Sequence, residues 1–175
     1  MRDFKIVYRD PRQLVPYPRN VRVHSDEQIT KLAGMIRRFG FNVPILLRDI
    51  NGTIGAGHAR RLAAIRILDS GETMHGRVDV PTICLTGLSD AEWRAFAIAD
   101  NRIALDSTWN IGDLKSELEA IQDSDCDLDL VGFSADELSA FGLGDATAPA
   151  SLDEFPEFDE KLGTQNECPK CMYRW

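Results

Sequence analysis

Thr53-Ile54-Gly55-Ala56-Gly57-His58-Ala59-Arg60-Arg61 is an extended, partly apolar run that ends in two glycines and passes directly into a basic helix. A glycine-rich turn lets the backbone approach a phosphate closely. The first unpaired amides of the following helix then point at it, and the helix dipole adds positive potential. Arg60 and Arg61 stand in that first turn and supply charge-assisted hydrogen bonds. Successive helical residues lie about 100° apart, so Arg60 faces the phosphate position while Arg61 turns towards solvent or DNA. The same junction also arises wherever a sheet meets a helix closely with no ligand involved, and both readings stand at this point.

Working outwards, Pro44 to Ile50, Asn51-Gly52 and Thr53-Ile54 read as a hairpin. Its turn dipeptide favours φ > 0 at both central positions. Ser25 with Gln28 caps a helix in which Ile29, Leu32, Ala33, Ile36 and Phe39 recur at helical spacing, and Gly40 stops it. A short strand over residues 4–9 and the proline-punctuated loop from Leu14 to Arg22 precede that helix. Downstream, a helix over about 57–69 carries Leu62, Ala63, Ile65 and Ile67, and Val80 to Leu85 is a buried strand in which Cys84 is a small core hydrophobe. Ser89-Asp90-Ala91-Glu92 opens a further helix that carries Trp93, Phe96 and Ala97 and reaches Asp100-Asn101-Arg102. Asn110 and Ser134 cap two more, with Leu114, Leu118 and Ile121 in one and Leu138 and Phe141 in the other.

The 175 residues, 43% hydrophobic and 27% charged, suit one globular domain with appendages. No apolar run is long enough to span a bilayer and the N-terminus lacks a signal-peptide core, so a cytoplasmic protein with no membrane contact is expected. Four unevenly spaced cysteines fit a reducing compartment. The net charge of −8 hides an asymmetry. Residues 1–66 hold 13 basic and 5 acidic side chains, and the remainder 7 basic and 23 acidic. A basic segment that carries the glycine turn suits a phosphate-bearing ligand, a nucleotide or a nucleic-acid backbone. The acidic remainder argues against the whole surface wrapping DNA. Residues 144–167 read as an acidic flexible linker.

The order Asn20-x-Arg22, a capped helix running into Phe39-Gly40-Phe41-Asn42-Val43-Pro44-Ile45, the hairpin with Gly57-His58-Ala59-Arg60-Arg61-Leu62-Ala63-Ala64, then Asp100-Asn101-Arg102 resembles the N-terminal domain of the ParB/sulfiredoxin superfamily. The resemblance covers roughly residues 5–105. It implies an α/β (α+β) fold, a small mixed sheet with packed helices, followed by a helical extension over 106–143 and an acidic tail over 144–175. It implies nucleotide binding (CTP or ATP with Mg2+) by Asn20 and Arg22 near the nucleotide, by Gly55, Gly57 and Arg60 at the triphosphate, and by Asp100 and Asn101 near phosphates and magnesium; His58, Arg61 and Arg102 beside them are further nucleotide-binding candidates. Asn101 and Arg102 also read as ordinary residues of a helix C-terminus, and Asp100 as a local partner of Arg102.

In sulfiredoxins the residue after the second glycine is the catalytic cysteine, and here it is His58, so sulfinic-acid reduction lacks its nucleophile. In ParB proteins and related kinases a glutamate commonly stands at or near this place. His58 as a neutral imidazole can act as a general base or donate to a phosphate, and it also reads as a plain hydrogen-bonding residue. His58 and Asp100 are thus the catalytic candidates, whether for an NTPase, a kinase or a nuclease. At the C-terminus Cys168-Pro169-Lys170-Cys171 has the spacing of a zinc knuckle, with only half of a tetrahedral Zn2+ site in one chain, so two chains would each give a pair. An unmetallated tail is the alternative.

No basic recognition helix or basic dimer domain follows residue 105. The segment from Asp127 to Gly142 resembles short phage and prophage proteins and chains in which this domain precedes a DNA methyltransferase. Three functions follow: a nucleotide-responsive DNA-associated module with a methyltransferase or phage protein as partner and a homodimer as one arrangement; an NTP-dependent enzyme or nuclease; or an adaptor without nucleotide.

Overall fold

A computed structural model describes residues 4–143. The expected acidic linker and the Cys168/Cys171 pair lie outside these residues. Strands β1 (Ile6–Arg9), β2 (Ile45–Leu47), β3 (Ile54–Ala56) and β4 (Val80–Cys84) form one sheet in the order β1-β4-β2-β3. β1 is antiparallel to β4, β2 parallel to β4, and β2 antiparallel to β3. Helices α1 (Asp26–Phe39), α2 (His58–Asp69), α3 (Asp90–Ala104), α4 (Ile111–Gln122) and α5 (Ala135–Ala140) complete the described fold, with 3-10 turns at Pro11–Gln13 and Leu128–Val131.

The helices begin where local capping chemistry puts them. Ser25 accepts from the Gln28 amide, Ser89 and Ser134 form reciprocal boxes with Glu92 and Glu137, and Asn110 accepts from the Asp113 amide. Helix α2 differs. Its N-cap is Gly57, at φ 103° and ψ 25°, and no side chain caps the first turn.

Ile29, Ala33 and Ile36 of α1 meet Ala63, Ala64 and Ile67 of α2 over Ile45, Leu47, Ile54 and Val80 of the sheet. Each large aliphatic group removed from water there contributes about 1.5–3 kcal/mol, and the two alanines let α1 and α2 approach closely. The buried Thr82 hydroxyl donates to the Val7 carbonyl at 2.6 Å, tying β4 to the edge strand. A second cluster, Leu118, Leu138 and Leu143 flanked by Phe133 and Phe141, holds α4 and α5 together. It meets α1 where the Lys31 ammonium donates to the Gly132 carbonyl.

Three local expectations are corrected. The hairpin turn is not a two-residue turn with φ > 0 at both Asn51 and Gly52, because only Gly52 is left-handed, at φ 91°. Asp49 decides the geometry: its carboxylate accepts from the amides of Asn51 and Thr53, and the Gly52 amide closes on the Asp49 carbonyl, making a four-residue turn with a register shift in the ladder. Phe39 is 48% exposed, because α1 ends there and Phe41, past Gly40, packs on the core instead. Leu62 is 41% exposed, since α2 presents its small Ala63 and Ala64 side to α1.

Candidate functional site

Along β3, Ile54 points into the core, so Gly55 faces the opposite side of the sheet. There the Trp93 ring of α3 lies directly against it. Gly55 therefore holds α3 close to the sheet by steric necessity, which is the ligand-free role of such a glycine. Two residues on, Gly57 turns the chain into α2 with a left-handed conformation. The uncapped first turn of α2 opens, with Gly55, onto a cavity of about 560 Å³.

Three segments give this cavity most of its polar groups, and α1 with the stretch after it gives the rest of the lining. The loop after β1 contributes Tyr17, Arg19, Asn20 and Arg22, the turn contributes Gly55 to Arg60, and α3 contributes Arg94, Ala97, Ile98, Asp100 and Asn101. Leu32, Met35 and Val43 give it an apolar wall. Arg19, Arg22 and Arg94 make no ion pair with a carboxylate among the described residues. The Arg60 Nε is buried and has no hydrogen-bond partner there. Burial lowers the Arg60 guanidinium's proton affinity, and Asp100 opposes that shift. A guanidinium has five donors and no acceptor, so the buried Nε is a donor on the cavity wall that lacks an acceptor among the described residues.

Of the residues named from the sequence, Asn20, Arg22, Gly55, Gly57, His58, Arg60, Asp100 and Asn101 line this cavity. Arg61 does not: its Nε donates to the Pro11 carbonyl at 2.9 Å. Arg102 pairs with Asp106, not with Asp100. Asn20 and Arg22 shape each other, the Asn20 amide bonding both the carbonyl and the amide of Arg22. Asn101 donates to the Ala97 carbonyl at 2.7 Å. The His58 Nε2 accepts the Tyr17 amide at 3.1 Å.

Tyr17, Arg19 and Arg94 were not singled out from the sequence. The spacing of Arg94, Ala97, Ile98 and Asn101 is a helix-face signal that could have found Arg94. Tyr17 had none, because it is placed by the backbone pairing of Val15 with Gly52 and Ile54 and by the Arg48 guanidinium 5.7 Å above its ring. For a divalent ion the cavity offers one carboxylate, Asp100, and the described residues contain no group of three or more His, Cys, Asp or Glu that could hold a metal. Magnesium fits this donor set only as an ion carried largely by phosphate oxygens.

The structure is similar to that of the C-terminally truncated chromosome-partitioning protein ParB from Caulobacter crescentus complexed with CTP-gamma-S, with a TM-score of 0.59, 22% identity and 81% of each chain covered. This likeness shows a common fold. In sequence the chain is 43% identical over 89 residues to the ParB-like nuclease domain-containing protein YnaK of Escherichia coli strain K12, over 50% of this chain and 91% of that one. No family model matches. The chain belongs to the family of ParB-like domain proteins. No helix among the described residues is long and apolar enough to cross a membrane.

Proposed function

We propose that the cavity binds a nucleotide, CTP or ATP, through its phosphates, and that the protein works beside DNA in phage or prophage DNA metabolism or DNA modification. The buried, unpartnered Arg60 Nε at the uncapped start of α2 carries this reading. Gly57 keeps the Arg60 guanidinium close over the turn, within 3.3 Å of where its β-carbon would stand, so a phosphate at the α2 amides meets the guanidinium as well. The apolar wall suits a base or ribose. The CTP-gamma-S of the Caulobacter ParB structure agrees with this choice of ligand. Magnesium would accompany the phosphates beside Asp100 and screen their charge. Two-metal DNA cleavage calls for clustered carboxylates, which this cavity lining does not supply, so binding is favoured over nuclease action. DNA, a methyltransferase or phage protein, and a second copy are the proposed partners, and zinc at Cys168 and Cys171 a separate proposal for metal analysis.

Calorimetric titration with CTP, ATP, GTP and UTP, with and without Mg2+, beside Arg60→Ala, tests the reading. Saturable binding of one nucleotide that the variant loses is the expected result. No binding to any of the four would leave an adaptor that uses the same fold without nucleotide.

A further inference from the structure

Tyr17 and His58 lie 41 residues apart and meet in a single hydrogen bond, the Tyr17 amide donating to Nε2 at 3.1 Å. A backbone N–H can only donate, so Nε2 is unprotonated and the ring proton sits on Nδ1. This bond stands at the head of a series of turns. The Tyr17 carbonyl accepts from the Asn20 amide at 3.1 Å, and the Asn20 side chain then folds back on Arg22. Val15 and Arg48 anchor the start of this loop as well, and the His58 acceptor is the hydrogen bond that ties it to the first residue of α2, just before Arg19, Asn20 and Arg22 reach the cavity lining.

We propose that His58 is a positioning residue: its neutral imidazole latches the 17–22 loop to the start of α2, and protonation releases the loop and loosens the hold on a phosphate ligand. The inference rests on the nucleotide reading for its ligand, but the latch itself is read without one. Burial first, then His24 and Arg61, hold the His58 imidazole below its ordinary value, so the latch is closed at neutral pH. The other charged groups on the same cavity are Arg19 and Arg22 of the loop, Arg60 of α2, and Arg94 and Asp100 of α3. Four of these five are cations that oppose a further positive charge at His58. When the ring does protonate, Nε2 becomes a donor facing a donor and the bond is lost.

The test has two arms. In ligand-free protein, exchange protection of the Tyr17 amide, corrected for intrinsic rate, should fall about tenfold or more once the pH is taken far enough below the ordinary imidazole range for His58 to take up its proton. His58→Ala should lack that protection throughout. His58→Gln, whose Oε1 can accept near the Nε2 position without titrating, should keep it throughout. His24→Gln should leave the pH dependence at Tyr17 in place. In the second arm, at neutral pH, His58→Ala should weaken CTP or ATP binding about five- to tenfold, the worth of one hydrogen bond, and His58→Gln should restore it.

Protection that ignores pH in the unmodified protein, or that tracks pH equally in His58→Gln, overturns the latch, and so does unchanged nucleotide affinity in His58→Ala. Should His58→Ala fail to fold, the unmodified protein and His58→Gln decide between these outcomes. Expected behaviour at Tyr17 with no nucleotide bound by the unmodified protein would support the latch and overturn the nucleotide reading alone.

Discussion

The six-membered ring of Trp93 lies so close to Gly55 that a β-carbon at Gly55 would stand 2.2 Å from Cζ3 and 2.4 Å from Cη2. Such contacts do not occur between real atoms, and Trp93 is 4% exposed with little room to retreat. Gly55→Ala is therefore expected to destabilise the fold by about 1–3 kcal/mol through overpacking, read as a lower urea midpoint at unchanged slope. In a Trp93→Leu background the same change should cost less. A double-mutant cycle that proves additive would place the strain elsewhere.

Arg60→Leu should separate folding from binding. A buried Nε without an acceptor costs roughly 1–3 kcal/mol in the ligand-free protein, so removing the guanidinium should leave the thermal midpoint unchanged or higher. The rise in midpoint that a nucleotide confers on the unmodified protein should vanish. A large fall in ligand-free stability would make Arg60 a structural residue.

Gly57→Ala meets two obstacles at once. A φ of 103° costs an L-residue about 1–2 kcal/mol, and the new methyl would stand 3.3 Å from the Arg60 Nε and from Ile45 Cγ1. Equilibrium unfolding should register the first, and a parallel loss of nucleotide affinity the second. Gly57→Asn, which tolerates the left-handed region better, should be milder in stability.

Asp49 is expected to give the hairpin an acid-sensitive element. Burial pushes its carboxyl up, but hydrogen bonds from Thr53 and Asn51, with the Arg48 charge, outweigh that and hold it below its ordinary value. Its contribution is then complete above the ordinary carboxylate range and is lost as pH falls through the lower folded value. Asp49→Asn keeps an acceptor for both amides, so its urea midpoint should depend less on pH in the acid range. Asp49→Ala should lose about 1 kcal/mol at neutral pH.

Much of this was written locally. Ser25, Ser89, Asn110 and Ser134 each accept from the amide three residues on, so the starts of α1, α3, α4 and α5 were legible from short windows. Helix geometry separated Arg60 from Arg61 but did not place the second: Arg60 lines the cavity, while Arg61 folds onto the Pro11 carbonyl and not out to solvent or DNA. What escaped was set by distant partners. Asn51-Gly52 matched a hairpin dipeptide, yet the Asp49 carboxylate chose another turn. Gly55 and Gly57 read as one phosphate-type pair and both line the cavity, but nothing near Gly55 in sequence showed that it also makes room for Trp93, far along the chain. Tyr17 was invisible because nothing near it in sequence shows that His58 and Arg48 will hold it.

The parallel pairing of β2 with β4 gives the domain an order of assembly. β2, β3 and the start of α2 are neighbours in sequence, so the glycine turn and Arg60 take shape from short-range contacts. The α3 wall, with Arg94 and Asn101, follows β4, which reaches its place beside β2 only after α2 has crossed over between them. During synthesis from the N-terminus the glycine turn therefore emerges before the α3 residues that wall its cavity. Retention of the proposed phosphate ligand would then be a property of the finished sheet, closed to a growing chain however complete its glycine motif.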